Sequence, residues 1–134
     1  MVCIYCSNET KVINSRPQKR LNRVWRRRTC VNCGTTFTSI EAVDLSGNVT
    51  VKNNKALEPF QRDKLLLSIY DSLKHRKSAL SDATGLTDTV ISALYPLMQN
   101  AVIQKLDIVQ AATKTLRRFD KAAATYYQAF HPGE

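Results

Sequence analysis

The chain has 134 residues, 43% of them apolar, with a formal charge of +9 and a pI near 9.7. That apolar share excludes wholesale disorder, the length allows one ordinary domain or two small ones, and the basic excess calls for a polyanionic partner. No apolar run approaches the roughly 18 residues a membrane span needs. "MVCIYC" lacks the layout of a secretion signal, so a cytoplasmic location with no membrane partner is expected.

All four cysteines, Cys3, Cys6, Cys30 and Cys33, lie in the first 33 residues, as C-x2-C, a 23-residue gap and a second C-x2-C. Two-residue spacing lets both thiolates of a knuckle face one ion at about 2.3 Å, and two knuckles complete a tetrahedral site for one structural Zn2+. The competing readings are two disulfides or a redox pair. A cytoplasmic chain argues against the first, and the presence of a second knuckle against the other. Between the knuckles, "TKVINSR" and "RVWRRRT" read as short strands joined by the turn "PQKRLN", and "TTFTSIE" reads as a third. Val12, Ile13, Val24, Trp25, Phe37 and Ile40 are too few to stabilise so small a module. A structural zinc supplies on the order of 10–16 kcal/mol that becomes folding free energy. Residues 1–46 are expected to form a zinc ribbon.

These 46 residues hold eight Lys or Arg against three acids. In a strand, Arg26 and Arg28 project to one face and Arg27 to the other. Arg16, Lys19, Arg20 and Arg23 cluster on the facing strand and turn, with Trp25 amid the run and hydroxyls at Ser15, Thr29, Thr36 and Thr38 nearby. A charge run is by default a solvated face. On a metal-rigidified hairpin, planar guanidinium groups suit phosphates and guanine edges, and a β-ribbon fits a major groove. Nucleic-acid binding follows; the choice between DNA and RNA does not.

After Glu41 the pattern changes. A Ser-Gly-Asn turn precedes the alternating strand "NVTVK" and a hairpin turn, "NNKA". Pro59 reads as a helix start, followed by Phe60, Leu66, Ile69, Tyr70 and Leu73 at helical spacing. A second set is Val90, Ile91, Leu94, Leu97 and Met98, which Pro96 must end or kink. The third is Ile108, Val109, Ala112 and Leu116, and "DKAAATYYQAF" the fourth. Residues 47–134 are thus expected to be mainly helical with a short β-hairpin, giving an α+β chain overall. His75, in "KHRK", reads as a capping charge at a helix end. No P-loop, nucleophile–base pair or carboxylate cluster stands out, so no enzymatic role is expected.

The order of these elements resembles the NrdR family, bacterial repressors of ribonucleotide reductase genes. The resemblance is carried by "CIYC", "TKVINSR", "WRRRTCVNCGTTFTSIE", "VKNNKALEPFQRDKL" and "ATYYQAF", and spans nearly the whole chain. It implies a zinc ribbon joined to an ATP-cone, a small domain that binds ATP or dATP as allosteric effector and forms homo-oligomers. It further implies that Arg16, Arg26, Arg27 and Arg28 meet double-stranded DNA at promoter boxes, on the nucleoid when bound. In the cone, Val49, Val51, Lys52, Asn53, Lys55, Phe60 and Lys64 match the nucleotide-binding stretch. Asn53, Asn54 and Lys55 stand where Arg, Asp and Gly are usual; Asp120 and Ala122 stand where Tyr and Arg are usual. The rival reading is an RNA-binding or transcription-associated ribbon whose helical domain docks on a protein partner.

Overall fold

The computed structural model describes residues 1–132 and divides the chain into two compact units, Met1–Val43 and a second beginning at Asp44. The first is a three-stranded antiparallel sheet in the order β1-β2-β3, with β1 at Thr10–Gln18, β2 at Arg23–Cys30 and β3 at Thr36–Ala42. A 3-10 turn, Lys19–Leu21, links β1 to β2 and ends at Asn22, whose φ of 49° suits a residue that tolerates the left-handed region. The module has almost no apolar core. Phe37 is buried with Cys3 and Cys30, whereas Val12, Ile13 and Ile40 are exposed. The six apolar residues therefore do not pack together, and cross-strand pairing and the cysteine cluster hold the unit instead.

The second unit opens with a one-turn helix, α1 (Leu45–Asn48), capped by Asp44, whose carboxylate accepts the Gly47 N–H at 3.1 Å. Residue 46, where the sequence suggests a division, lies inside this turn. The hairpin follows as β4 (Thr50–Asn53) and β5 (Ala56–Pro59). Helices α2 (Arg62–Ser72) and α3 (Ala79–Leu94) come next, then a 3-10 turn at Tyr95–Leu97. A third strand, β6 (Val102–Gln104), precedes α4 (Lys105–Phe119) and α5 (Lys121–Phe130).

Two expectations change here. Pro59 does not start a helix: it pairs with Thr50 at the end of β5, the edge of the sheet, where a residue without an N–H is tolerated. The hairpin also gains a strand, since β6 lies parallel to β4 on its far side. The helical stripes pack as their spacing requires except at Leu97, which lies in the 3-10 turn beyond α3 and is exposed. Leu65 and Ile69 of α2 and Leu73 just after it, Val90 and Leu94 of α3, Leu116 of α4 and Tyr127 of α5 are buried together with Val51 and Ile103 of the sheet and Phe60, which follows β5. Pro96 sits in the 3-10 turn that ends α3. Asp120 alone separates α4 from α5, ending one and capping the other through Ala123 N–H (3.1 Å). Among the described residues, no helix is long and apolar enough to cross a membrane.

Candidate metal centre and nucleic-acid interface

The four Sγ atoms lie within 4.8 Å of one another, with Cys3–Cys33 at 3.8 Å and Cys6–Cys30 at 3.4 Å. Thiolates about 2.3 Å from a tetrahedral zinc stand about 3.8 Å apart, so this donor set fits one Zn2+. The same separations far exceed the roughly 2.05 Å of a disulfide bond, which disposes of that alternative. Backbone N–H groups point at the sulfurs: Tyr5 at Cys3, Asn32 and Cys33 at Cys30, each at 3.4 Å. The Asn8 side chain and backbone N–H lower the Cys6 thiol to about 6. The hydroxyl and N–H of Thr35 lower Cys33. Cys6 and Cys33 thus lean towards thiolate, the form zinc requires, whereas Cys30, although the Cys33 N–H lowers it, is pushed up to about 11 by burial and the neighbouring Cys6 and Cys33 sulfurs.

The sheet grows directly from this cluster, for Cys30 ends β2 and pairs with Thr10 of β1. The arginine run lies along β2 with each guanidinium held across strands. Arg26 reaches Glu41 (2.9 Å) and Ser15 (3.2 Å); Arg27 reaches Thr36 (2.8 Å) and Thr38 (3.2 Å); Arg28 reaches Ser39 (3.0 Å) and Thr10 (3.4 Å). Of the three, Arg26 alone has a carboxylate among these partners. Arg16 lies over the Trp25 ring at 5.6 Å, its partner in the β1–β2 register, and Arg23 donates to Gln18. Lys19 and Arg20 occupy the turn at the end of the hairpin away from the cysteines.

In the second unit, Val51, Phe60 and Lys64 line a cavity of about 210 Å³ together with Lys105, Tyr127 and His131. A neighbouring cleft of about 560 Å³ is lined by Lys52 and Asn53 and shares Lys105, Val109 and His131 with the first. Val49 is buried in the core, and Lys55 lines neither space. Lys64 is paired with Glu58 at 3.2 Å. Lys105, Tyr127 and His131 escape sequence reasoning because distant helices bring them to the hairpin. The missing glycine at the hairpin turn costs little, since the positive φ falls on Asn54 (55°) and not on Lys55. His75 is not a helix cap. It pairs with Asp120 (2.9 Å), which Arg76 also reaches (3.3 Å).

The sequence profile described as "Transcriptional repressor NrdR-like, N-terminal domain" matches residues 1–41. Over longer spans the chain resembles proteins named transcriptional repressor NrdR. With that of Alkaliphilus oremlandii it shares 33% identity over 107 residues, 79% of this chain and 70% of the relative. With that of Symbiobacterium thermophilum the identity is 31% over 134 residues, 97% and 89% of the two chains. With that of Methylacidiphilum infernorum it is 33% over 136 residues, 98% and 81%.

Proposed function

From the premise that the chain belongs to the NrdR family of transcriptional repressors, which are not enzymes, we propose a zinc-dependent, sequence-specific DNA-binding repressor of ribonucleotide reductase genes that responds to adenine nucleotide. The observation that carries the reading is the continuity of the four-cysteine cluster with β2: the strand that ends in a metal ligand is the strand that carries Arg26, Arg27 and Arg28. A metal at that end fixes the strand's rotation, so its basic groups are presented in set directions. Together with Arg16, Lys19, Arg20 and Arg23 they make up the basic ribbon from which the DNA contacts are drawn.

The second unit acts as the sensor. Lys52, Asn53, Val51, Phe60 and Lys64, joined by Lys105 and His131, line adjoining spaces in which Lys52 and Lys105 suit a phosphate chain and the apolar groups a base, with Asp107 and the Lys64-paired Glu58 also in the lining. ATP or dATP bound there would favour one packing of sensor units over another, and so the spacing of ribbons along DNA. One ribbon is too small to find an operator alone, so homo-oligomers on paired half-sites follow.

The test is equilibrium binding of the full chain to a duplex from its own genome's ribonucleotide reductase promoter, against a scrambled duplex, with and without ATP or dATP. Promoter-selective binding that one nucleotide alters is expected. Equal affinity for both duplexes would overturn operator recognition, and selective binding indifferent to nucleotide would overturn the sensor role.

A further inference from the structure

We propose that a single face of the β1–β2 ribbon, carrying Lys11, Arg16, Arg23 and Arg27, is the surface that meets the DNA backbone, and that Arg26 and Arg28 on the opposite face serve to tie the strands. The inference rests on the DNA-binding reading above and assigns its contacts.

Register decides which residues share a face. In β1, Val12 stands opposite Arg28 and Asn14 opposite Arg27, so Ile13 is an extra residue in the strand. Strict alternation would put Lys11 on the face of Ser15 and leave Arg16 on the other. The bulge shifts the alternation by one, and Lys11 joins Arg16. One face then reads, rung by rung from the cysteine end, Lys11–Thr29–Thr36, Asn14–Arg27–Thr38, Arg16–Trp25–Ile40 and Gln18–Arg23–Ala42. The other reads Val12–Arg28–Phe37, Ser15–Arg26–Ser39 and Pro17–Val24–Glu41.

The two faces differ in charge. Within the strands the first holds four basic residues and no acid, whereas the second holds two and Glu41, which pairs with Arg26. On the first face the cations fall one per rung and alternate between strands: Lys11 on β1, Arg27 on β2, Arg16 on β1, Arg23 on β2. Rungs two residues apart are about 6.6 Å apart. A duplex strand advances about 3.4 Å per phosphate, so each rung advances about as far as two phosphates. Lys19 and Arg20 extend the line at the hairpin end. Lys11 and Arg16 are exposed, and Trp25 offers a flat ring among them. The second face instead carries Arg28 beside buried Phe37.

The experiment uses the full zinc-loaded chain and a mixed-sequence DNA duplex, since phosphate contacts alone set the slope of log affinity against log salt. Lys11→Gln and Arg27→Gln are each expected to flatten that slope by about 0.9, and Arg26→Gln and Arg28→Gln to leave it unchanged. Asn14→Lys should steepen it by a similar amount, and Ser15→Lys, on the opposite face, should not. The exposed Lys11 side chain has no hydrogen bond or ion pair among the described residues, so its variant keeps the test decisive even where Arg27→Gln disturbs the sheet; bound zinc reports the fold of each. Slopes equal to wild type for Lys11→Gln and Asn14→Lys, with the wild type binding normally, overturn the face assignment alone. A wild type that binds no DNA duplex, or prefers an RNA duplex, overturns the DNA reading beneath it.

Discussion

Ser7 and Gly34 occupy matching positions in the two cysteine knuckles. Each follows the second cysteine of its pair, each has a positive φ (60° and 71°), and each donates its N–H to the first cysteine's carbonyl, at 2.9 Å and 3.2 Å. The two turns are copies of one device, one built with the residue suited to it and one without.

Substitution at these positions should therefore act in opposite directions. A Cβ at Gly34 would meet nothing within 4 Å, so Gly34→Ala is charged only with the left-handed backbone, about 1–2 kcal/mol. Ser7→Gly should stabilise the ribbon by a smaller amount, because glycine also loses more entropy on folding, about 0.4–1 kcal/mol. Denaturant unfolding of the zinc-loaded chain, followed through Trp25 fluorescence, reads both; equal effects of one sign would contradict the equivalence.

A second strained turn lies in the helical unit. Asn100 and Ala101 both have positive φ, 53° and 60°, in a two-residue connection closed by hydrogen bonds between Gln99 and Val102 (3.1 and 2.9 Å). Asparagine tolerates this; alanine does so at a cost that glycine would remove. Ala101→Gly is expected to stabilise the unit by about 0.5–1 kcal/mol, and at about 4–8 °C per kcal/mol the gain is visible in Tm. A lower Tm would contradict the strain.

Asp120 fastens three parts of the same unit. His75 first, then the Ala123 N–H and Arg76, lower its carboxyl from 3.8 to about 2. A carboxylate depressed in the folded state contributes stability that is complete above its unfolded pKa. That contribution is lost as pH falls from about 4 to about 2. Asp120→Asn should lower stability at neutral pH by about 1–3 kcal/mol and flatten the acid limb of the stability curve. An unchanged acid limb would show that other carboxylates govern it.

Much of this organisation can be read from residues alone. Cysteine spacing announces the metal centre because two-residue knuckles have few other uses, and the helices follow from stripes such as Ile69 and Leu73. What escapes is set by pairing across distance. Three residues of β6 carry no periodicity, and only their alignment on β4 makes them a strand. The bulge at Ile13 has no composition of its own, so Lys11 could not be assigned a face before the register was known. Pro59 misleads for a similar reason: its fixed φ suits a helix start and an edge strand alike, and the sheet chooses. Lys105 and His131 join the hairpin cavity only through the packing of α4 and α5.

The central claim is that metal and arginines form one working unit, and zinc extraction tests it most directly. The full chain is stripped with a chelator, or the site is broken by Cys30→Ser, and binding to the promoter duplex is measured beside helical content. The expected result is loss of binding with the helical signal retained, and recovery when zinc is restored to the wild type. A zinc-free chain that holds the duplex as tightly as the loaded one would contradict it.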